Sequence, residues 1–453
     1  HTFSERELSE GWRLSCTAYP KDKCKIWISS DYNSDFSVIT DYEGSNSKIQ
    51  FTAEEEYSIA IDLGTTTLAI ALVGRKSKEI LDIYTAINGQ RVYGADVITR
   101  IQASNEGKRH LLQESIQKDL LEGIRTITKR TGVVKNKIKT IAIAGNTAMG
   151  HMLLGYSCEN IGRYPFTTEN INTIKLSFEE ALHSDYLEAT VLMLPGISAF
   201  VGGDIVSGLL ACEFNSLETP CLFIDLGTNG EMAVGGKDKI LVSSTAAGPA
   251  FEGGNLSCGV GSIAGAISSV RIEEGTVSYQ TIGDLPPVGI CGTGIIEIVS
   301  EFLKMGIIDE TGLFMDQYFD TGYEIAKDSS GKSIRVTQKD IREIQLAKAA
   351  IRAGVETLLK GYGITEKEID TVYLAGGFGY KIDISKAVQI GLLPEGLSDR
   401  IRAIGNSSLS GTVKYLLEEE ALNKVEYILH SCEEIVLAND ILFNTQYIKQ
   451  MNF

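Results

Sequence analysis

The chain is short of positive charge, of long apolar runs and of paired cysteines, and each shortage removes a class of function. Its 42 Lys and Arg face 59 Asp and Glu, a formal net charge of -17. That balance disfavours binding to a nucleic-acid backbone or to an anionic membrane, both of which need a basic face. No apolar run reaches the roughly 18 to 20 residues of a membrane-spanning helix, and the opening HTFSERELSEGWRL has no apolar stretch of signal-peptide type. The expectation is a cytoplasmic protein with no nucleic-acid and no membrane partner. The eight cysteines, at 16, 24, 158, 212, 221, 258, 291 and 432, include no C-x-x-C pair. A chain of this size does not need disulfide staples, so most are expected to be buried, reduced thiols.

Apolar residues are plentiful, at 43% of 453 positions, which supports two or more hydrophobic cores. Residues 1–56 are polar; a short strand-like CKIWISSDYN precedes the Ser/Asn/Glu-rich DYEGSNSKIQFTAEEE, which reads as a linker over 31–56. From Tyr57 onward the chain repeats its own grammar. IAIDLGTTTLAIALV at 59–73 and LFIDLGTNGEMAVG at 222–235 are each an apolar run, a tight turn and a second apolar run, the pattern of a β-hairpin. Each is followed by a third strand (EILDIYTAI, KILVSSTAA), then a long helix at 110–131 or 338–363, then a strand ending in glycine, TIAIAG or TVYLAG. Glycine-ended strands that feed helices indicate parallel strands beside an antiparallel hairpin. The expected fold is therefore α/β, duplicated at domain scale, with halves at 57–215 and 216–453.

A turn of Gly, Thr and Asn exposes backbone N–H groups and hydroxyls with no bulk in front of them, which makes a cradle for phosphate oxygens. Two such turns can face each other across a cleft. Asp62 and Asp225, just before the turns, then bring too much negative charge to a polyphosphate unless a hard cation such as Mg²⁺ lies between, held through water. A third glycine-rich turn, AGGFG at 375–379, ends a strand of the second half.

On these residues the chain resembles the superfamily of acetate and sugar kinases, large heat-shock ATPases and actin, with two ribonuclease-H-like domains around a nucleotide cleft. The resemblance implies ATP and ADP binding. It assigns the first phosphate turn to Asp62, Gly64, Thr65, Thr66 and Thr67, the second to Asp225, Gly227, Thr228, Asn229 and Gly230, and the adenosine turn to Gly376, Gly377 and Gly379. For metal organisation or water positioning the candidates are Asp62, Asp204, Asp225 and Glu231. Asp204 serves equally as a helix N-cap, and Glu231 as a solvated strand carboxylate. Asn146 and Thr147 open a helix, whose N-terminus suits an anion, though capping alone accounts for both; His151 reads as a packed or surface histidine and not a catalyst, and Glu252 as either a ligand or partner contact or a plain turn residue.

Further stretches resemble one branch of that superfamily, the reductive activators of corrinoid-dependent enzymes: AGNTAMGHMLLG (144–155), LPGISAFVGGDIVSGLLA (194–211), STAAGPAFEGGNLSCGVGSIAGAI (244–267), CGTGIIEIVSEFLKMGIID (291–309), IGNSSLSG (404–411) and the terminal MNF. The resemblance implies ATP-dependent reduction of a corrinoid protein from Co(II) to Co(I), driven by differential binding of the partner; a homodimer stays open. GWRLSCTAYPKDKCKIWI resembles the end of a plant-type ferredoxin domain, with Cys16 in the place of its last 2Fe-2S ligand. A two-iron cluster needs three more thiolates in a C-x₄-C-x₂-C loop, so residues 1–30 are expected to be a remnant and Cys16 an orphan ligand, the alternative being an ordinary buried thiol. Three rivals share the fold: a small-molecule kinase, an activator of hydroxyacyl-CoA dehydratases using Cys258 or Cys291 for a four-iron cluster, and a nucleotide-gated scaffold.

Overall fold

The β-branched runs beside each Asp-Leu-Gly-Thr turn become the centres of two sheets. A computed structural model describes residues 55–376 and 382–453, all of which belong to one unit, Phe36–Phe453. In the first half the strands are β1 (Tyr57–Leu63), β2 (Thr67–Gly74), β3 (Ile80–Ile87), β4 (Ile138–Gly145), β5 (Ile174–Ser177) and β6 (Thr190–Met193). In the second they are β7 (Cys221–Leu226), β8 (Gly230–Gly235), β9 (Ile240–Thr245), β10 (Ala266–Glu273), β11 (Thr276–Thr281), β12 (Gly289–Ile290), β13 (Tyr323–Lys327), β14 (Ser333–Val336), β15 (Val372–Ala375), β16 (Ile401–Gly405) and β17 (Cys432–Glu434).

Each half builds one six-stranded sheet, in the orders β3-β2-β1-β4-β6-β5 and β16-β15-β7-β8-β9-β17. Taken from β9, the second order runs β9-β8-β7-β15-β16, with the same sequence of antiparallel and parallel pairings as β3-β2-β1-β4-β6. The duplication is thus one of topology as well as of sequence. β1 pairs with β2 on one side and with parallel β4 on the other, and its residues are buried almost throughout. That is why it is an unbroken apolar run and not an alternating one. The two long helices, α1 (Arg109–Thr131) and α5 (Gln338–Tyr362), end at left-handed Gly132 and Gly363, the residue type that closes a helix at no steric cost. Leu112, Ile116, Leu120, Ile124 and Ile127 place one stripe of α1 in the core of the first sheet. A small sheet, β11-β10-β12, and the hairpin β13-β14 fill the chain between β9 and α5; the sequence reading did not anticipate either.

Packing also crosses between the halves. Helix α6 (Ser407–Leu417), from the second half, sends Leu409, Val413 and Leu416 into a cluster with Ala60, Ala69, Ala71, Ala142 and Ala144 of the first sheet. Helix α3 (Gly203–Ala211), from the first half, sends Ile205, Val206, Leu209 and Leu210 against Phe223, Ala233 and Val242 of the second. The two helices touch where their side chains are small: Ser207 Oγ donates to the carbonyl of Ser408 at 2.7 Å, and a Cβ added at Gly411 would lie 1.8 Å from the Ser207 carbonyl oxygen. Among the described residues all six cysteines are free, four buried and two half-buried, and no helix is long and apolar enough to cross a membrane. The remnant assigned to 1–30, with Cys16 and Cys24, lies outside the described residues.

The α3–α6 contact has no room for another methyl group. Gly411→Ala is expected to lower stability by about 2 kcal/mol, the usual range for an overpacked contact, read as a lower urea midpoint. Gly107→Ala, at a site where a Cβ meets nothing within 4 Å but φ is +92°, costs only the backbone strain of a left-handed residue and should be the milder change.

Candidate active site

The two Asp-Leu-Gly-Thr turns meet. Thr66 Oγ1 of the first and Thr228 Oγ1 of the second are 3.4 Å apart, on a cleft of about 130 Å³ between the two halves. Asp62, Gly64, Thr65, Thr66, Thr67, Asp204, Asp225, Gly227, Thr228, Asn229, Glu231 and Gly376 line it, together with Asn146, Glu252, Asn406 and Ser408. Gly230 does not. It is a buried residue that opens β8 directly after the turn, and its Cβ would meet Thr245 Oγ1 at 2.9 Å and Ile351 at 3.0 Å, so packing within the second half demands glycine there. Gly377 and Gly379 lie outside the described residues.

Each turn is braced from behind. Asn88, fully buried, donates from Nδ2 to the carbonyl of Gly64 at 2.9 Å. Asn146, the N-cap of α2 (Thr147–Leu154), donates from Nδ2 to Thr65 Oγ1 at 2.9 Å while its Oδ1 accepts from Met149 N. Asn146 therefore caps a helix and holds a turn at once. Gly376 packs against the second turn with φ +104°, where a Cβ would lie 2.3 Å from the Leu226 carbonyl oxygen and 3.0 Å from Asp225 Oδ1; both the conformation and the close approach require glycine.

Asp62 receives two hydrogen bonds from the other half, from Asn406 Nδ2 and from Ser408 Oγ, each at 2.8 Å. The Asn406 side chain also caps α6 by accepting from Leu409 N at 2.8 Å. The stretch IGNSSLSG thus delivers two site residues that sequence reasoning quoted without giving them a role. Asp225 and Glu231 face each other across the β7–β8 hairpin, whereas the partner of Asp62 in β1–β2 is Ala69. The two hairpins differ by one residue in loop length, and the shorter loop sets Glu231 opposite Asp225, while the first hairpin has only apolar Leu68 and Ala69 at the corresponding positions. Asp204 sits on the second residue of α3, whose N-cap is Gly202, so it is not the cap. Glu231 is buried, 8% exposed, and accepts from Ser244 Oγ at 3.3 Å, so it is not a solvated strand carboxylate. His151 is the packed histidine expected, buried with Nδ1 2.8 Å from the Thr147 carbonyl.

Five carboxyl groups converge here, counting Glu252, and none of the described residues lining the cleft is Lys or Arg. Burial raises the proton affinity of all five. Asp204 is pushed up to about 7, with the charge of Asp62 adding to the effect. Asp225 is pushed up to about 8, by burial first and then by Asp204, Asp62 and Glu252. Glu231 rises for the same reasons, and Asp62 and Glu252 rise against the hydrogen bonds they accept. A polyphosphate could enter such a cleft only with a cation. Hard carboxylate oxygens suit Mg²⁺, yet among the described residues no three acidic, His or Cys side chains converge on one point as direct ligands, which fits an ion that keeps much of its water shell.

A second cavity, of about 710 Å³, adjoins the first and shares Asn146 and Asn229 with it. Its walls are mostly apolar, with Ile98, Ile101, Phe166 and Phe200 from the first half and Leu437 and Phe443 from the second. The sequence carried no signal for it, because its walls come from seven separated stretches.

Residues 57–217 match the family described as the RACo middle region, and residues 219–453 the C-terminal domain of RACo, the ASKHA domain. The chain belongs to the RACo family. Corrinoid activation enzyme RamQ of Eubacterium limosum is 34% identical over 436 residues, covering 92% of this chain and 72% of that protein. The [Co(II) methylated amine-specific corrinoid protein] reductase of Methanosarcina barkeri is 26% identical over 431 residues, 88% of this chain and 77% of that one. The solved structure of a reductive activator for corrinoid, iron–sulfur protein superposes with a TM-score of 0.81 at 34% identity, covering 89% of this chain and 67% of that chain. The RACo relatives are thus corrinoid activation and reductase enzymes, and the fold is the actin-like one expected.

The carboxyl cluster makes stability depend on pH in a defined direction. Asp204 and Asp225 bind protons more tightly folded than unfolded, so their contribution is full below about pH 4 and is lost as pH rises through 7 to 8. The metal-free chain is expected to melt lower at pH 8.5 than at pH 6, Mg²⁺ to recover the difference at pH 8.5 but not at pH 6, and Asp225→Asn to flatten the profile. Differential scanning fluorimetry at both pH values checks this.

Proposed function

We propose that this chain binds ATP with Mg²⁺ between its two halves, 57–215 and 216–453, and couples its hydrolysis to the reduction of a partner's corrinoid from Co(II) to Co(I). The observation that carries the nucleotide part is the meeting of two glycine-threonine turns over a cluster of carboxylates, with no Lys or Arg among the described residues that line it. The names of the relatives support the corrinoid part. In this reading the hydroxyls and N–H groups of 64–67 and 227–229 hold the phosphates, and Gly376 with Gly377 and Gly379 receives the adenosine. Asp62 and Asp225 are the residues that would orient Mg²⁺, whose charge would offset that of the phosphates. Glu231 or Asp204 accepts the proton of the attacking water as its oxygen bonds to the γ-phosphorus and the bond to the bridging oxygen breaks, releasing ADP and phosphate.

The electron adds to cobalt without any bond rearrangement in this chain; a two-iron cluster with Cys16 among its thiolates would supply it. Reduction is uphill for ordinary donors. For one electron each tenfold in equilibrium is about 59 mV, so about four decades, roughly 5.5 kcal/mol, has to come from binding the reducible state more tightly. The contact surface proposed is the loop 247–262 with 195–204, part of which, Ala199 and Phe200, also walls the apolar cavity. The kinase reading has no comparable support. For the dehydratase-activator reading, Cys291 is fully buried with Sγ 3.2 Å from the Ile267 carbonyl, and Cys258 accepts from Arg335 N at 3.4 Å.

Two measurements decide the reading. Asp62→Ala and Asp225→Ala should each lower ATP hydrolysis by about a hundredfold or more while the chain stays folded; absence of ATP binding in calorimetry of the wild type sinks the nucleotide part. Titration with a purified Co(II) corrinoid protein should give a complex at micromolar concentration, a shift in the corrinoid spectrum and weaker binding of the methylated form. No complex and no spectral change, with or without ATP, leaves only an ATPase.

A further inference from the structure

Glu252 has a place in the cleft that the nucleotide reading does not use. It ends the short turn Pro249–Glu252, and its Oε2 accepts from Thr228 Oγ1 at 2.6 Å and from Thr66 Oγ1 at 3.2 Å. These are the two hydroxyls that face each other across the cleft, one from each half. A threonine hydroxyl has one proton to donate. Both protons are given to the same carboxylate oxygen, so neither is available to a phosphate oxygen, which in its ionised form can only accept.

We propose that Glu252 occupies the phosphate site of the nucleotide-free chain as a built-in oxyanion, clasping the two halves through Thr66 and Thr228, and that the phosphates of a nucleotide must displace it. This rests on the reading of the cleft as a nucleotide site and adds a regulation to it. A carboxylate and a phosphate want the same donors and repel each other, so their occupancies exclude one another. The clasp has a weak side. The bond within the second half, to Thr228, is the shorter, and the bond that crosses between the halves, to Thr66, is the longer. Displacement therefore removes the Thr66–Glu252 bond between the halves and leaves the bonds from Asn406 and Ser408 to Asp62 in place.

The backbone around Glu252 is built to pass that displacement on. Gly253 and Gly254 donate back into the same turn, to Ala250 and Pro249 at 3.0 and 2.8 Å. A Cβ at Gly259 would lie 2.0 Å from the Gly253 carbonyl oxygen, and one at Gly253 would lie 2.1 Å from that of Val260. Further along, Ser257 N donates to Asp340 Oδ1 at 2.7 Å, at the start of α5, and Ile290 N to the carbonyl of Cys258 at 2.8 Å. The segment from 249 to 260 is thus one closely fitted piece, the same piece proposed above to meet the corrinoid protein. Release of Glu252 changes the face offered to the partner, which ties nucleotide occupancy to partner recognition without a separate effector site.

Hydrogen–deuterium exchange of the full chain, with calorimetry of ATP binding, tests this on Glu252→Ala and on Glu252→Gln, which keeps the shape and controls for folding. Without nucleotide, both variants should exchange the peptides covering 64–67 and 249–262 at least about tenfold faster than wild type, the alanine more than the glutamine. When Mg²⁺ and ATP are added, wild type should reach the same fast exchange over 249–262, but not over 64–67, whose N–H groups then hold the phosphates. Glu252→Ala should bind ATP about tenfold more tightly, since a competing oxyanion and its bonds to two donors are gone. Variants that exchange as wild type does without nucleotide, or an alanine variant that binds ATP no better or more weakly, overturn the clasp. A wild type that binds no ATP overturns the nucleotide reading instead, and the exchange rates of the nucleotide-free variants still decide whether Glu252 holds the halves together.

Discussion

Negative charge packed into one cleft, with no Lys or Arg among its described walls, is the constraint on which the rest of this structure depends. Asp62, Asp204, Asp225, Glu231 and Glu252 are each tolerable only because something local takes up part of the cost: protons, the Asn406 and Ser408 donors on Asp62, the two threonines on Glu252. An acidic site of this kind is unstable toward a cation and hostile to a bare anion. Under the proposed reading, a metal–phosphate pair would be held better than either component alone, because each would remove the cost of the other.

The exchange of helices between the sheets places that charge. α6 rides on the first sheet yet carries Asn406 and Ser408 to Asp62, and α3 brings Asp204 from the first half to the carboxylates of the second. Any rotation of one half against the other must then move donors relative to the carboxylates they serve. Under the proposed reading, nucleotide occupancy and the relation of the halves would be set by the same few hydrogen bonds. The fold by itself does not say which partner that is; kinases, chaperones and activators share it, and the choice among them rests on the RACo family match and the names of its relatives.

Much of the architecture was legible before any coordinates. Two Asp-Leu-Gly-Thr turns, each between apolar β-branched runs and each followed by a third strand and a long amphipathic helix, were enough for the duplicated α/β fold, and the ends of α1 and α5 fell within a residue of the expected ones. These features are local: strand propensity, a glycine turn and a 3.6-residue period are properties of ten to twenty neighbouring residues. The resemblance to corrinoid activators was legible for the same reason, being carried by short strings.

Only the tertiary structure decided which polar groups meet. Asp62 finds Asn406 and Ser408 more than 340 positions away, and Thr66 finds Glu252 across 186; no periodicity encodes a pairing at that distance. Gly230, which the resemblance assigns to the turn, opens β8 with Thr245 and Ile351 close around it. Glu231, a candidate whose alternative was a solvated strand carboxylate, is buried opposite Asp225 in a hairpin one residue shorter than its counterpart. The sequence by itself determined the local elements and their duplication, since those depend on neighbours along the chain. The chemistry of the cleft depends on burial and on contacts closed by the exchange of two helices, and those exist only once both halves have folded around each other.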